Sequence, residues 1–199
     1  NMLRTKKYPN GNQYLLTEGG IWVRNFTIPV SPWDINKLSS TADYSLFLSN
    51  EVNNENHDLS NFDPKKFQFK GAVIVSDGYK FTDKHKLLEQ LPKEVAVIAV
   101  KRSLVKWNVS RNIDFFVVNN PYQECMSLMP NHRYYPRCLV STKTNSEFVG
   151  LYKSRGGYVE RYNSTPEPGY SALGKSFCYM DDYRNPICAS VNLCHKLGL

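Results

Sequence analysis

Between residues 70 and 122 three short apolar runs alternate with polar or amphipathic segments, and that alternation restricts the possible folds more than any other feature of the chain. The runs Ala-Val-Ile-Val (72–75), Val-Ala-Val-Ile-Ala-Val (95–100) and Phe-Phe-Val-Val, at the end of a strand over 114–118, are continuous and rich in β-branched residues. Strands buried on both faces of a parallel sheet have this composition, without the alternation of a half-solvated strand. Thr82 can cap a helix over 82–91 with Leu87, Leu88 and Leu91 on one side and Pro92 as its stop, and residues 103–107 predict a second helix. The β-α-β-α-β order predicts a mainly parallel α/β sheet, whose right-handed crossovers bring the strand ends to one edge. Ligands of open α/β sheets bind outside the carboxyl ends of the strands. Three polar tips then converge there: Ser76-Asp77-Gly78-Tyr79-Lys80, Lys101-Arg102 and Asn119-Asn120-Pro121-Tyr122.

The 199 residues suffice for one sizeable core, or for one domain with an appendage. No run approaches the roughly 18 apolar residues of a membrane span. Residues 1–20 are polar, so no secretory signal is expected and a cytoplasmic location is. Five cysteines (125, 138, 178, 188 and 194) make an odd number without a Cys-x-x-Cys pair, which predicts reduced, buried thiols of an intracellular protein. Cys125, His132 and Cys138 match no zinc-ligand spacing, so neither a metal nor a cofactor is predicted. The formal charge of +7 and the pI of about 9.1 favour phosphate-bearing or acidic partners. Arg133 to Arg137 interleaves cations with Tyr134 and Tyr135, and residues 153–161 do so with Tyr158, so bases could stack on either stretch. Solvated loops with tyrosines packed beneath them account for the same letters.

Residues 1–68 read as a β-rich extension on a unit spanning 69–199. Tyr14-Leu15-Leu16 and Ile21-Trp22-Val23 predict a hairpin turned by Gly19-Gly20. Helical turns are expected over 33–38, a short apolar element over 44–48, and an exposed loop over the polar stretch 50–63. Beyond Tyr122, a short helix over 124–129 ends at Pro130, and a fourth strand over 137–140 ends at Ser141-Thr142. Residues 143–174, punctuated by Gly and Pro, read as an irregular loop that orders over a site. A last helix takes Asn185 as its cap and Pro186 as its first residue, with Ile187, Val191, Cys194 and Leu197 at helical spacing. A helix closing on Leu-Gly-Leu would normally feed another strand, which suggests a sheet cut short at the C-terminal side.

The strand-tip motifs resemble the MptE-like superfamily, which includes archaeal 6-hydroxymethylpterin diphosphokinase, flagellin motility accessory factors and Campylobacter-type sialyltransferases. Ser76 to Phe81 resembles the Gly-Asn-Gly-Pro-Ser-Leu turn of those sialyltransferases, Lys101-Arg102-Ser103 stands where they carry an Asn-bearing segment, and Asn120-Pro121 is similar to their nucleotide-contacting Asn-Pro. Residues 185–198 resemble a late helix of the superfamily ending in Leu-Gly. The likeness covers about 69–125 and 181–199. It implies a Rossmann-like nucleotide-binding domain and a transferase using a nucleotide-activated donor, in the manner of a sialyltransferase-like glycosyltransferase. A diphosphokinase would place Asp at the third tip to hold magnesium, where this chain has Asn119-Asn120; neutral amides are poor magnesium ligands, which favours metal-independent nucleotide-sugar chemistry.

The residues themselves suggest roles. Gly78 admits a phosphate near a helix N-terminus, with Ser76 and Asp77 beside it. Lys80, Lys101 and Arg102 can neutralise a diphosphate leaving group. Asn119 and Asn120, with Tyr122, can hold a base edge or ribose. The candidate general bases are His132, Asp181 and Asp182. The two aspartates read first as anions stabilised by the last helix's N-terminus, because that role needs nothing beyond what the sequence shows. The expected fold is therefore a Rossmann-like, mainly parallel α/β sheet with an N-terminal β-rich extension. The expected function is transfer from a nucleotide-activated small molecule to a glycan or nucleic-acid acceptor. A pterin-type diphosphokinase, or a non-catalytic module for nucleic acid or a partner protein, is the alternative.

Overall fold

The computed structural model describes residues 5–7, 13–16, 22–24, 41–78, 85–164, 178–180, 182 and 185–199. It divides into two compact units, Asn1–Ser45 and Leu46–Leu199. In the first, strands β1 (Thr5–Lys7), β2 (Gln13–Leu16) and β3 (Trp22–Arg24) form an antiparallel sheet in that order. Leu16 pairs with Trp22, as the predicted hairpin requires. The helical turns expected over 33–38 lie outside the described residues.

The second unit begins within α1 (Thr41–Glu55). Its strands are β4 (Ser60–Asn61), β5 (Gly71–Val75), β6 (Val95–Val100), β7 (Phe115–Val118), β8 (Cys138–Ser141) and β9 (Val159–Tyr162). Helix α2 (Ser146–Ser154) joins β8 to β9, and α3 (Pro186–Lys196) comes last. All six strands are parallel, in the order β4-β9-β8-β7-β6-β5, and the unit is a Rossmann-like α/β fold. From β5 to β9 the chain steps one strand at a time in one direction. Crossovers of constant hand then belong on one face. Leu88, Leu104, Trp107, Met129, Phe148 and Tyr152 from the four connections do pack together, against Val97, Ala99, Phe116, Val118, Cys138, Val140 and Val159.

The opposite face carries Ala96, Ile98, Val100, Phe115, Val117 and Leu139, covered by Ala189 and Leu193 of α3. Here the chain returns from β4 at one edge to β5 at the other. Phe62, Phe67 and Phe69 line that return, and each ring contacts Phe115, with centroids 5.9, 4.9 and 6.1 Å away. The last helix has the predicted ends: Asn185 Oδ1 accepts from the Ile187 N–H at 3.0 Å, and Gly198 takes a left-handed φ of 79° beyond it.

Several expectations are corrected. The polar stretch 50–63 is not an exposed loop: its first six residues complete α1, and Asn50, Glu51 and Asn54 are buried. The unit boundary therefore falls before Leu46, and 46–68 belong with the α/β sheet, supplying its edge strand β4. The irregular loop expected over 143–174 contains α2 and β9. Asn145 caps α2, its Oδ1 accepting from the Phe148 N–H at 2.9 Å. In β9 the sequence Val-Glu-Arg-Tyr hides a buried strand because its charges are paired. Of the helix expected over 82–91, residues 82–84 lie outside the described residues and His85–Gln90 form a 3-10 helix; in place of a helix over 103–107, a 3-10 turn at Lys101–Ser103 runs into a hydrogen-bonded turn over 104–106. Three residues per turn align Leu88 with Leu91, and Leu87 points to solvent.

Glu160 is 1% exposed, and Arg137 Nη1 meets its carboxylate at 2.6 Å while the guanidinium lies over the rings of Phe67 and Tyr158. Arg137→Met should destabilise the protein by roughly 2–3 kcal/mol in urea unfolding, because it strands a buried carboxylate. Adding Glu160→Gln should recover part of that loss. Burial raises the pKa of the Cys125 and Cys138 thiols, so neither is a thiolate near neutrality. Alkylation of the native protein at about pH 8 should label half-buried Cys188 well before Cys125 or Cys138, read by peptide mass spectrometry.

Candidate functional site at the carboxyl edge

Parallel register brings the tips to one edge. Val75 pairs with Ala99, Val100 with Val117, and Val118 with Val140. Ser76, Lys101, Asn119 and Ser141 therefore lie within a residue or two of the same level on neighbouring strands, each about 4.8 Å from the next strand. Ser76 and Asp77 are half-buried, and Gly78 is exposed, with no atom of the described residues within 4 Å of where a Cβ would stand. Lys101 is exposed with a left-handed φ of 54°, a conformation costing a non-glycine residue about 1 kcal/mol, and Arg102 is exposed beside it. Ser103 is buried, its Oγ donating to the Val100 carbonyl at 2.7 Å to close the turn.

Asn119 is 7% exposed at the end of β7, and its Nδ2 has no hydrogen-bond partner among the described residues. Such a donor costs about 1–3 kcal/mol while unsatisfied. Asn120 Oδ1 accepts from the Tyr122 N–H at 2.9 Å, so this amide shapes the turn and presents the half-exposed Tyr122 ring.

Two further tips complete the edge. After β8, Thr144 Oγ1 donates to the Val118 carbonyl at 3.1 Å, and the Thr142 hydroxyl is buried without a partner among the described residues. Ser141 and Ser164 share a hydroxyl hydrogen bond of 2.9 Å. Helix α1 closes this side through two asparagines one turn apart. Asn50 Nδ2 donates to the carbonyls of Pro121 (2.9 Å) and Lys143 (3.1 Å), and Asn54 Nδ2 to those of Thr142 (3.0 Å) and Thr144 (2.8 Å). The next residue, Glu55, pairs with Arg161, whose Nε donates to Asn61 Oδ1 at 2.8 Å. Burial lowers the Arg161 pKa, and Glu51 opposes that shift.

The sequence-predicted residues divide. Ser76, Asp77, Gly78, Lys101, Arg102, Asn119, Asn120 and Tyr122 share the edge; Lys80 and Asp181 lie outside the described residues. Asp182 is buried, its Oδ2 accepting from the Tyr162 hydroxyl at 3.3 Å on the face that carries α3, where burial and then the Asp182 charge raise the Tyr162 pKa. His132 sits in the crossover layer. Its Nδ1 accepts from the Tyr134 N–H at 3.2 Å and its Nε2 meets the Leu104 carbonyl at 3.2 Å, so Nε2 carries the proton and neither nitrogen is open to act as a base in this arrangement. Asn50, Asn54, Thr142 and Ser164 were absent from the sequence-derived set. Ser141-Thr142 at the end of an apolar run was the available signal; nothing local marked the asparagines.

The arrangement defines a Rossmann-like α/β unit whose carboxyl edge offers amides, hydroxyls and two exposed cations. Comparison with protein-family models, curated proteins and solved structures finds no match to this chain.

Asn54→Leu should remove two donors from buried carbonyls and lower stability by about 2–3 kcal/mol in urea unfolding. Asn53→Leu, an exposed neighbour on the same helix, should leave the midpoint nearly unchanged.

Proposed function

We propose that the carboxyl edge holds the nucleotide of an activated donor and that the protein is a transferase of the glycosyltransferase kind, as the resemblance of its strand tips to sialyltransferase-like members of the MptE-like superfamily implies. One observation carries the reading: a buried amide donor without a partner among the described residues, at the end of a central parallel strand and beside a tip with two exposed cations. A base or ribose oxygen would satisfy Asn119 Nδ2, and Lys101 with Arg102 would face the phosphates. The left-handed Lys101 fits this role, because strained backbone gathers where a ligand is met. Among the described residues, open space at Gly78 leaves room for the phosphoryl chain. The tips at β6 and β7 are cations and amides rather than carboxylates, a donor set that suits a nucleotide sugar better than a magnesium-dependent diphosphokinase.

Calorimetric titration with CMP, UDP and GDP and their sugar conjugates tests the reading, and micromolar binding of one nucleotide is the expected result. Asn119→Ala should weaken that binding at least tenfold, about 1.4 kcal/mol, while the melting temperature holds or rises because an unsatisfied buried amide is removed. Failure of every nucleotide to bind, or equal binding by Asn119→Ala, would overturn the proposal.

A further inference from the structure

Two strands border the six-stranded sheet, and their sequences treat that position in opposite ways. Strand β4 is only Ser60–Asn61, polar and exposed, and it meets β9 through those residues alone. Short, polar edges of this kind discourage pairing with a further strand. Strand β5 has no such protection. Its sequence Gly71-Ala72-Val73-Ile74-Val75 holds no charge and no proline, and it runs beside Val95 to Ala99 of β6 without a bulge.

The outer side of β5 meets no strand among the described residues. Alternate residues of an edge strand turn their N–H and C=O groups away from the sheet, so an edge of this length leaves roughly two or three such pairs to water. Gly71, Ala72, Val73 and Ile74 each keep part of their surface exposed, whereas Ala96 to Val100 of the neighbouring strand are fully buried. Both faces of the edge are apolar: Ala72 and Ile74 border the core beneath α3, and Val73 borders the crossover core. A flat apolar ladder with open backbone groups recruits another strand.

The ends of the edge select which strand. Exposed Lys70 precedes β5 and half-buried Asp77 follows it, and neither side chain makes a hydrogen bond or ion pair among the described residues. When two copies of the edge lie antiparallel about a two-fold axis, the Lys70 end of each adjoins the Asp77 end of the other. Parallel pairing would set like charge against like. The edge therefore complements itself in one direction, as an isologous contact requires, and full overlap puts Val73 opposite Val73 of the second copy.

We propose that β5 pairs antiparallel with β5 of a second copy of this chain, joining two six-stranded sheets into one continuous sheet. The contact is small beside a standard interface, so the dimer forms and dissociates in the micromolar range. Asn119, Lys101 and Arg102 take no part in it, and it does not rest on the nucleotide reading.

Sedimentation velocity from about 1 to 200 µM tests the proposal. The mass should rise from 22.9 kDa towards twice that value. Lys70→Glu should weaken association several-fold, because a carboxylate then meets Asp77 of the second copy, and combining it with Asp77→Lys should restore association. Urea unfolding of Lys70→Glu, a change at an exposed position, should match the unsubstituted protein. Val73→Cys sets two thiols across the axis at a Cα separation of about 4.5–5.5 Å, within disulfide reach. Mild oxidation should then give a linked dimer on a non-reducing gel, beyond the background of the unsubstituted protein. Asn119→Ala should leave association unchanged. A monomer at every concentration, a dimer that Lys70→Glu leaves intact, or no linkage through Val73→Cys overturns the proposal. A monomer whose Val73→Cys thiol resists alkylation would place another segment over the edge, and overturns it equally.

Discussion

An all-parallel sheet gathers the carboxyl ends of its strands on one edge, and the loops leaving that edge carry carbonyls and amides that the ladder no longer satisfies. Much of the second unit's detail answers this constraint. Asn50 and Asn54 reach from α1 to four carbonyls beyond β7 and β8, Thr144 bonds back to Val118, and Asn145 turns the chain into α2. Backbone groups withdrawn from water without partners cost about 1–3 kcal/mol each, which is why α1 buries the side that carries Asn50 and Asn54. The same edge leaves Asn119 and Thr142 with polar atoms unpaired among the described residues, and an incomplete hydrogen-bond inventory at a strand end is what a ligand can complete.

Stepwise winding sets the sidedness of everything else. Moving from β5 to β9 in one direction puts four crossovers on one face, so that face acquires the larger core, and the other is left for α3 and the phenylalanine-lined return from β4. Close packing follows on the crossover side. Tyr152 donates to the Pro136 carbonyl at 2.7 Å, and Gly157 is required because a methyl group there would overlap the Tyr152 ring. Order β5 to β9 contains no reversal, so the carboxyl edge has no crevice between diverging crossovers; α1 bounds it instead.

Buried charge is handled by pairing across elements distant in sequence. Glu160 lies on the α3 face with Arg137, and Arg161, adjacent in the same strand, points the other way to Glu55 and Asn61. Pleating makes that division: neighbouring residues of β9 face opposite sides, and each side supplies its own partner. A strand whose two central residues are charged still sits wholly inside the sheet, at the level where Leu139 and Val140 of β8 pair with it.

Four strands of the sheet (β5 to β8), their parallel arrangement and the capped final helix were legible in the sequence, because continuous apolar runs and an Asn-Pro helix start are local signals that burial reinforces. The polar tips Ser76 to Gly78, Lys101-Arg102 and Asn119-Asn120 were legible for the same reason, since each directly follows such a run. Strand β9, helix α1's contacts and the state of His132 were not. Glu160 and Arg161 read as solvated until Arg137 and Glu55 are brought to them, and Asn50 and Asn54 read as loop residues until the carbonyls of residues 121 and 142–144 arrive some seventy to ninety positions later. Whether a polar side chain is solvent-facing, bonded or left open to a ligand depends on atoms contributed by remote segments. The sequence by itself determined that the continuous apolar runs become strands, because burial on both faces is written into them; only the tertiary structure decided which polar groups are already satisfied, and with them the strands β4 and β9.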